Sequence, residues 1–174
     1  MGCFLTGDTI TKQITTDDGM YIALNNQLYM DDDGTIYLCP RNQEFDGYTI
    51  PRYLSWLAGG RFQWDLRCCR EHDLNCKYHE EIVVKLSLQQ LKNKFFLYEL
   101  DGQMMCVDIP KEFLAVRKVS FNDTNSKFKR MMKATSNIKP WRVNLMRFGV
   151  NFNIGWMFTG KESINLDLIY KTNL

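Results

Sequence analysis

Histidine is scarce in this chain: only His72 and His79 occur among 174 residues, so chemistry that needs an imidazole has two places to be. Long apolar runs are missing as well. No stretch approaches the roughly 18–20 apolar residues that a membrane-spanning helix needs. Charge of one sign is also lacking: 22 basic against 20 acidic residues leave +2, too little to call for nucleic acid as a partner. The start, Met-Gly-Cys-Phe-Leu-Thr-Gly-Asp, has neither the basic head nor the apolar core of a signal peptide, so export by such a signal is not expected. Gly2 with Thr6 does fit the short acylation pattern, which an ordinary N-terminus also meets. Internal repeats and low-complexity segments are absent. With 45% hydrophobic and 24% charged residues, the composition is that of a soluble globular protein, and the length fits a single domain over 1–174. Six cysteines without an export signal point to reduced thiols. Cys68 and Cys69 are adjacent and badly placed to bond to each other. Cys3, Cys39 and Cys106 read as small buried hydrophobes.

What is present reads as α+β. Gly19–Leu24 and Gln27–Met30, separated by Asn25-Asn26, predict a hairpin. Asp31-Asp-Asp-Gly34 is a solvated turn leading to a strand from Thr35 to Cys39; it lacks the alternation and closing Glu of a calcium loop. Together these predict an N-terminal antiparallel β meander. Pro51 opens a short helix that Gly59-Gly60 ends. No Gly or Pro interrupts the chain from Asp65 past Glu81, which predicts a helix of several turns. Residues 82–118 have the look of an insertion: a short helix over Ser87–Lys92, then a hairpin turning at Asp101-Gly102, which suits a type I′ turn. Two further helices start near Asn122 and at Pro140. Alternating Ile164, Leu166 and Leu168 predict a last strand. The expected architecture is the meander packed on a small helical bundle, with the helix and β-hairpin inserted.

The chemistry concentrates in Asp65–His79, which holds both histidines and three of the six cysteines. Helical spacing puts Cys69, His72, Asp73 and Cys76 on one side. Adjacent residues on a helix point about 100° apart, so His72 and Asp73 do not form a hydrogen-bonded dyad; they address one cavity from one helix. Cys69, His72, Cys76 and His79 look like four zinc ligands, but the outer two stand roughly 15 Å apart along a helix. One tetrahedral ion cannot hold both. The basic residues Lys127, Lys129, Arg130, Lys133, Lys139, Arg142 and Arg147 read as a solvated face around apolar stripes.

Gly34-x-Ile36, Pro40, Phe45-Asp-Gly-Tyr-Thr-Ile-Pro51 and Trp56-Leu57 resemble the first motif of a phage-associated family, domain of unknown function 1353. Cys68-x-x-x-His72-Asp73 resembles its second motif. Asn122-Asp123 with Phe128-x-x-Met131-Met132 resembles its third, and Val143-x-Leu145-Met146-x-x-Gly149-Val150 its fourth. The order is kept over most of the chain. Departures are Tyr48-Thr49 for a small Ala-Ser pair, Cys76 for a Tyr, and the extra residues 82–118. More locally, Cys68-Cys69-Arg-Glu-His72-Asp73 is similar to the Cys-Cys-x-x-His-Asp helix of secreted phospholipases A2, where the His is base to a water and the Asp helps hold calcium. Here the next cysteine falls one place later, and the Gly-rich calcium loop is missing.

The first resemblance implies a phage protein, placed in the host cytoplasm or the virion. It brings Asp46 and Asp123 toward His72 and Asp73. Two functions follow as expectations. In one, the chain is a hydrolase: His72 activates water, and Asp73, Asp46 and Asp123 orient it or, with His72, bind a divalent metal ion. In the other, it is a non-enzymatic virion component or a binder of phage or host proteins, or of itself, and the same residues cross-link the fold.

Overall fold

A computed structural model describes residues 2–14, 20–45, 66–135, 141, 143–144 and 159–171. The architecture is α+β. Its centre is a five-stranded antiparallel sheet in the order β1 (Cys3–Phe4), β4 (Gln27–Met30), β5 (Ile36–Cys39), β7 (Glu80–Val84) and β10 (Leu114–Lys118). A smaller antiparallel sheet joins β2 (Thr11–Gln13), β3 (Tyr21–Ala23) and β6 (Glu44–Phe45).

The two-residue period of a strand explains how the main sheet is covered on both faces. Tyr29, Tyr37 and Val83 point to one side, where they meet Cys68 and Cys69 of helix α1 (Leu66–Tyr78) and Phe128, Met131 and Met132 of helix α3 (Phe121–Ala134). Leu28, Ile36, Leu38, Ile82 and Val84 point to the other, under helix α2 (Leu88–Asn93), the hairpin β8 (Leu97–Leu100) and β9 (Gln103–Cys106), and the segment 164–170. Helix α2 stands where the sequence predicts a short helix, and Ser87 caps it with a reciprocal capping box to Gln90. The turn at Asp31–Gly34 and the hairpin at Asp101-Gly102 also stand where their sequences place them, with positive φ at Gly34, Asp101 and Gly102. The helix and hairpin are carried between β7 and β10, which are neighbours in the main sheet.

Four expectations are corrected. Residues 21–23 and 27–30 do not pair as a hairpin; β3 and β4 lie in different sheets. Asn25 and Asn26 are buried at the corner between them, where Asn25 bonds the backbone of Asp8 and Ile10, and Asn26 bonds Cys106, Asp108 and Arg41. Helix α1 stops at Tyr78, because His79 takes φ +54° and Glu80 begins β7, whose Val83 and Val84 pair on both sides. Residues 166–170 form turns rather than a strand: Leu166 and Ile169 reach the core while Leu168 is exposed. Cys3 is exposed, unlike Cys39 and Cys106, whose thiols burial pushes up to about 12. The helix predicted at Pro51 lies outside the described residues. Of the one predicted at Pro140, only Trp141, Val143 and Asn144 are described, all helical.

The segment after residue 158 is stapled to the end of α1. Gly160 N–H donates to the Lys77 carbonyl at 2.9 Å, one of the acceptors a helix end leaves open. Gly160 has φ +75°, and a Cβ there would run into the His79 ring. Gly160→Ala should therefore cost about 2 kcal/mol, and trypsin should cut after Lys161 faster in the variant than in the parent. Among the described residues, no helix is long and apolar enough to cross a membrane.

Candidate functional site

Helices α1 and α3 cross against each other over the sheet, and the polar residues at their contact form two groups. The first surrounds His72. Its side chain is 3% exposed. Nε2 lies 3.1 Å from Asn125 Oδ1; a carbonyl oxygen only accepts, so this nitrogen carries the hydrogen. The ring sits 4.7 Å from that of Phe128, one turn further along α3. On the other side, Nδ1 is 3.9 Å from Asp73 Oδ1, an ion-pair distance and not a hydrogen bond, as neighbours on a helix require.

Cys76, one turn beyond His72, places Sγ 3.7 Å from both ring nitrogens. Thiol, imidazole and amide are the parts of a cysteine-nucleophile triad. A sulfur equidistant from the two nitrogens, however, meets the ring side-on instead of facing one N–H or lone pair. That is a packing contact and a poor proton-transfer path. Burial pulls the imidazole pKa down, but Asp73 and Cys76 outweigh it and push the value up to about 10. The Asp73 carboxylate beside the ring thus favours its protonated form.

Asp123 stands elsewhere. It is exposed, its N–H donates to Ser120 Oγ at 3.1 Å, and its carboxylate accepts from the same hydroxyl at 2.6 Å. It serves the start of α3. Asp123, Lys127 and Arg130 follow the helical spacing of four and three, while Asn125 is about 200° away from Asp123 around the axis. Helix α3 therefore turns Asn125 to His72 and Asp123 to a different face. Asp46 lies outside the described residues. The structure brings together His72, Asp73, Cys76 and Asn125, and sets Asp123 apart from them. Among the described residues no three His, Cys, Asp or Glu side chains gather as a metal site.

No protein-family model, curated protein or solved structure matches the chain.

The second polar group was read from sequence as part of a solvated basic face, and that reading is corrected. Lys127 is 3% exposed. Its ammonium donates to Glu71 Oε1 at 2.8 Å and Glu81 Oε2 at 2.5 Å. Asn75, with its amide oriented to satisfy both ends, accepts from Lys127 at 2.9 Å and donates to the Glu80 carbonyl at 3.0 Å. Three acceptors meet three protons, and the Tyr37 ring lies 4.0 Å away. Burial works against the charge, but Glu71 and then Glu81 hold the Lys127 pKa above the usual lysine value. Glu81 also accepts from Arg117, its cross-strand neighbour, and Arg117 donates to the Tyr37 hydroxyl at 2.8 Å. The chain Glu71–Lys127–Glu81–Arg117–Tyr37 thereby ties α1, α3, β7, β10 and β5 together.

A cleft of about 420 Å³ opens over this network, lined on its α3 side by Asp123, Lys127 and Arg130. Arg130 is committed to Asp31 through bonds of 2.6–3.1 Å. Burial raises the Asp31 pKa, but Arg130 and the Asp32 N–H more than reverse this and leave it low. A lysine held protonated and fully bonded is no nucleophile. The sequence held one sign of this group: Lys127 falls on the same stripe of α3 as Thr124, Phe128 and Met131, all buried.

Proposed function

We propose that this chain is a phage-encoded protein that acts by binding another protein, and that its His72-Asp73 cluster serves the fold. The phage origin rests on the four motifs between Gly34 and Val150. The observation that carries the binding reading is the setting of His72: 3% exposed, bonded to Asn125 and packed on Phe128. A general base needs a free lone pair and a path to the proton it takes. The hydrolase reading requires His72 to shed its proton and to share a cavity with Asp123, which faces another side of α3.

Metal analysis of the purified protein and of His72→Ala, with a panel of ester, phosphodiester and amide substrates, tests the reading. We expect no stoichiometric metal and no turnover in either protein. His72→Ala should lose about 2–3 kcal/mol of stability, because Asn125 and Asp73 lose a buried cationic neighbour. Bound metal or turnover that disappears in His72→Ala overturns the proposal. Mass spectrometry of purified particles then separates a virion component from a binder of host proteins.

A further inference from the structure

The hairpin β8–β9 stands as its own two-stranded sheet. Two large apolar side chains are exposed on it, Leu100 at 52% and Tyr98 at 40%, and Phe95 just before it is 81% exposed. Phe95 also has φ +58°. It occupies the left-handed position after α2, where the N–H of Phe96 returns to the Leu91 carbonyl at 3.0 Å. That position favours glycine. The free chain therefore carries both a strained backbone and an aromatic ring in water, with nothing gained from either.

We propose that the outer edge of β8 is a self-association surface, where a second copy of this chain adds its own β8 antiparallel across a two-fold axis. The result is a four-stranded sheet running β9, β8, β8 and β9. The inference holds whether the His72 cluster is structural or catalytic.

The register follows from the hairpin. A two-residue turn at Asp101-Gly102 makes Leu100 with Gln103, and Tyr98 with Met105, the pairs that exchange hydrogen bonds. The N–H and C=O groups of Leu97 and Glu99 then point away from β9, and no backbone group of the described residues meets them. In the self-pairing these outward residues must face each other. Centring on Glu99 sets two carboxylates opposite, which is unfavourable. Centring on Leu97 brings Glu99 against Phe95, which has left the strand conformation. Centring on Tyr98 pairs Leu97 with Glu99 of the second copy twice over. It also merges the exposed Tyr98 and Leu100 of both copies into one apolar face.

Charge favours the same answer. Lys92 and Lys94 precede β8, while Glu99 and Asp101 end it. Antiparallel pairing sets the basic start of one strand beside the acidic end of the other, and parallel pairing sets like beside like. Phe95 then stands next to the hairpin tip of the second copy. Burying it there accounts for an aromatic residue at a glycine position.

Sedimentation of the full chain over a concentration series, under reducing conditions, gives the mass. We expect a dimer. Glu99→Pro removes an outward N–H while leaving the β8–β9 bonds intact, and should yield a monomer with unchanged circular dichroism. Phe95→Gly should raise the melting temperature by relieving the left-handed strain, yet weaken self-association about tenfold. With Cys3 replaced by serine, Tyr98→Cys lies on the axis, at a spacing that suits a disulfide, and should oxidise to a covalent dimer where Cys3→Ser alone does not. A parent that stays monomeric throughout the series overturns the proposal. So does a dimer that Glu99→Pro leaves intact.

Discussion

Replacing Lys127 by methionine is expected to destabilise the protein by about 3–5 kcal/mol, the cost of leaving a buried ion pair without one member. The substitution nearly conserves volume, so packing contributes little. What it removes is the one cation between Glu71 and Glu81, whose side chains are 2% and 4% exposed. Arg117 still reaches Glu81, but Glu71 keeps no charged partner among the described residues. Adding Glu71→Gln to the variant should recover a large part of the loss, because a neutral amide is cheaper to bury than an unpaired carboxylate. The variant should also change its pH response. Unpaired buried carboxylates have folded pKa values above their unfolded ones, so their stabilising contribution is present at low pH and is lost as pH rises through those values. Urea unfolding at pH 5 and pH 7 reads this: Lys127→Met should be the more stable at pH 5. A variant within about 1 kcal/mol of the parent at neutral pH would show that the ammonium is not bonded as described.

Local signals in the sequence were reliable where nothing distant competed with them. The short helix over Ser87–Lys92 and the hairpin at Asp101-Gly102 were legible, because a short helix and a turn are each satisfied by residues two to four apart. The strand ending β10 was missed because Leu114–Lys118 gains its place only by lying against β7, some thirty residues earlier. Asn25-Asn26 carries a turn signature but is buried, since its amides bond backbone groups from three other segments.

The same distinction divides the site. His72 and Asp73 are neighbours in sequence and were legible as a pair. Asn125, which fixes the His72 tautomer, is 53 residues away. No spacing rule links the two. Lys127 was misread because lysines on helices are mostly solvated. Its exception depends on Glu71 and Glu81 arriving from α1 and β7. Asp123 was placed at a helix start, and it stands in the first turn of α3, where its N–H donates to the Ser120 cap.

The parent protein should lose stability as pH rises from about 6.5 to about 10, and His72→Gln should flatten that fall. The folded imidazole is held up to about 10, above its unfolded value of 6.5. Its contribution is therefore complete below pH 6.5 and is lost as the folded group gives up its proton. A shift of this size corresponds to a few kcal/mol. Lysines and tyrosines elsewhere also titrate near the upper end, so the difference between parent and variant isolates His72. Asp73→Asn should move the fall to lower pH, because the adjacent carboxylate favours the protonated ring. Parallel curves for the parent and His72→Gln across this range would mean a neutral imidazole. Nε2–H would still be donated to Asn125, but Nδ1 would then hold a lone pair beside Asp73 and Cys76. That would supply the free lone pair a general base needs, the first of the requirements of the hydrolase reading.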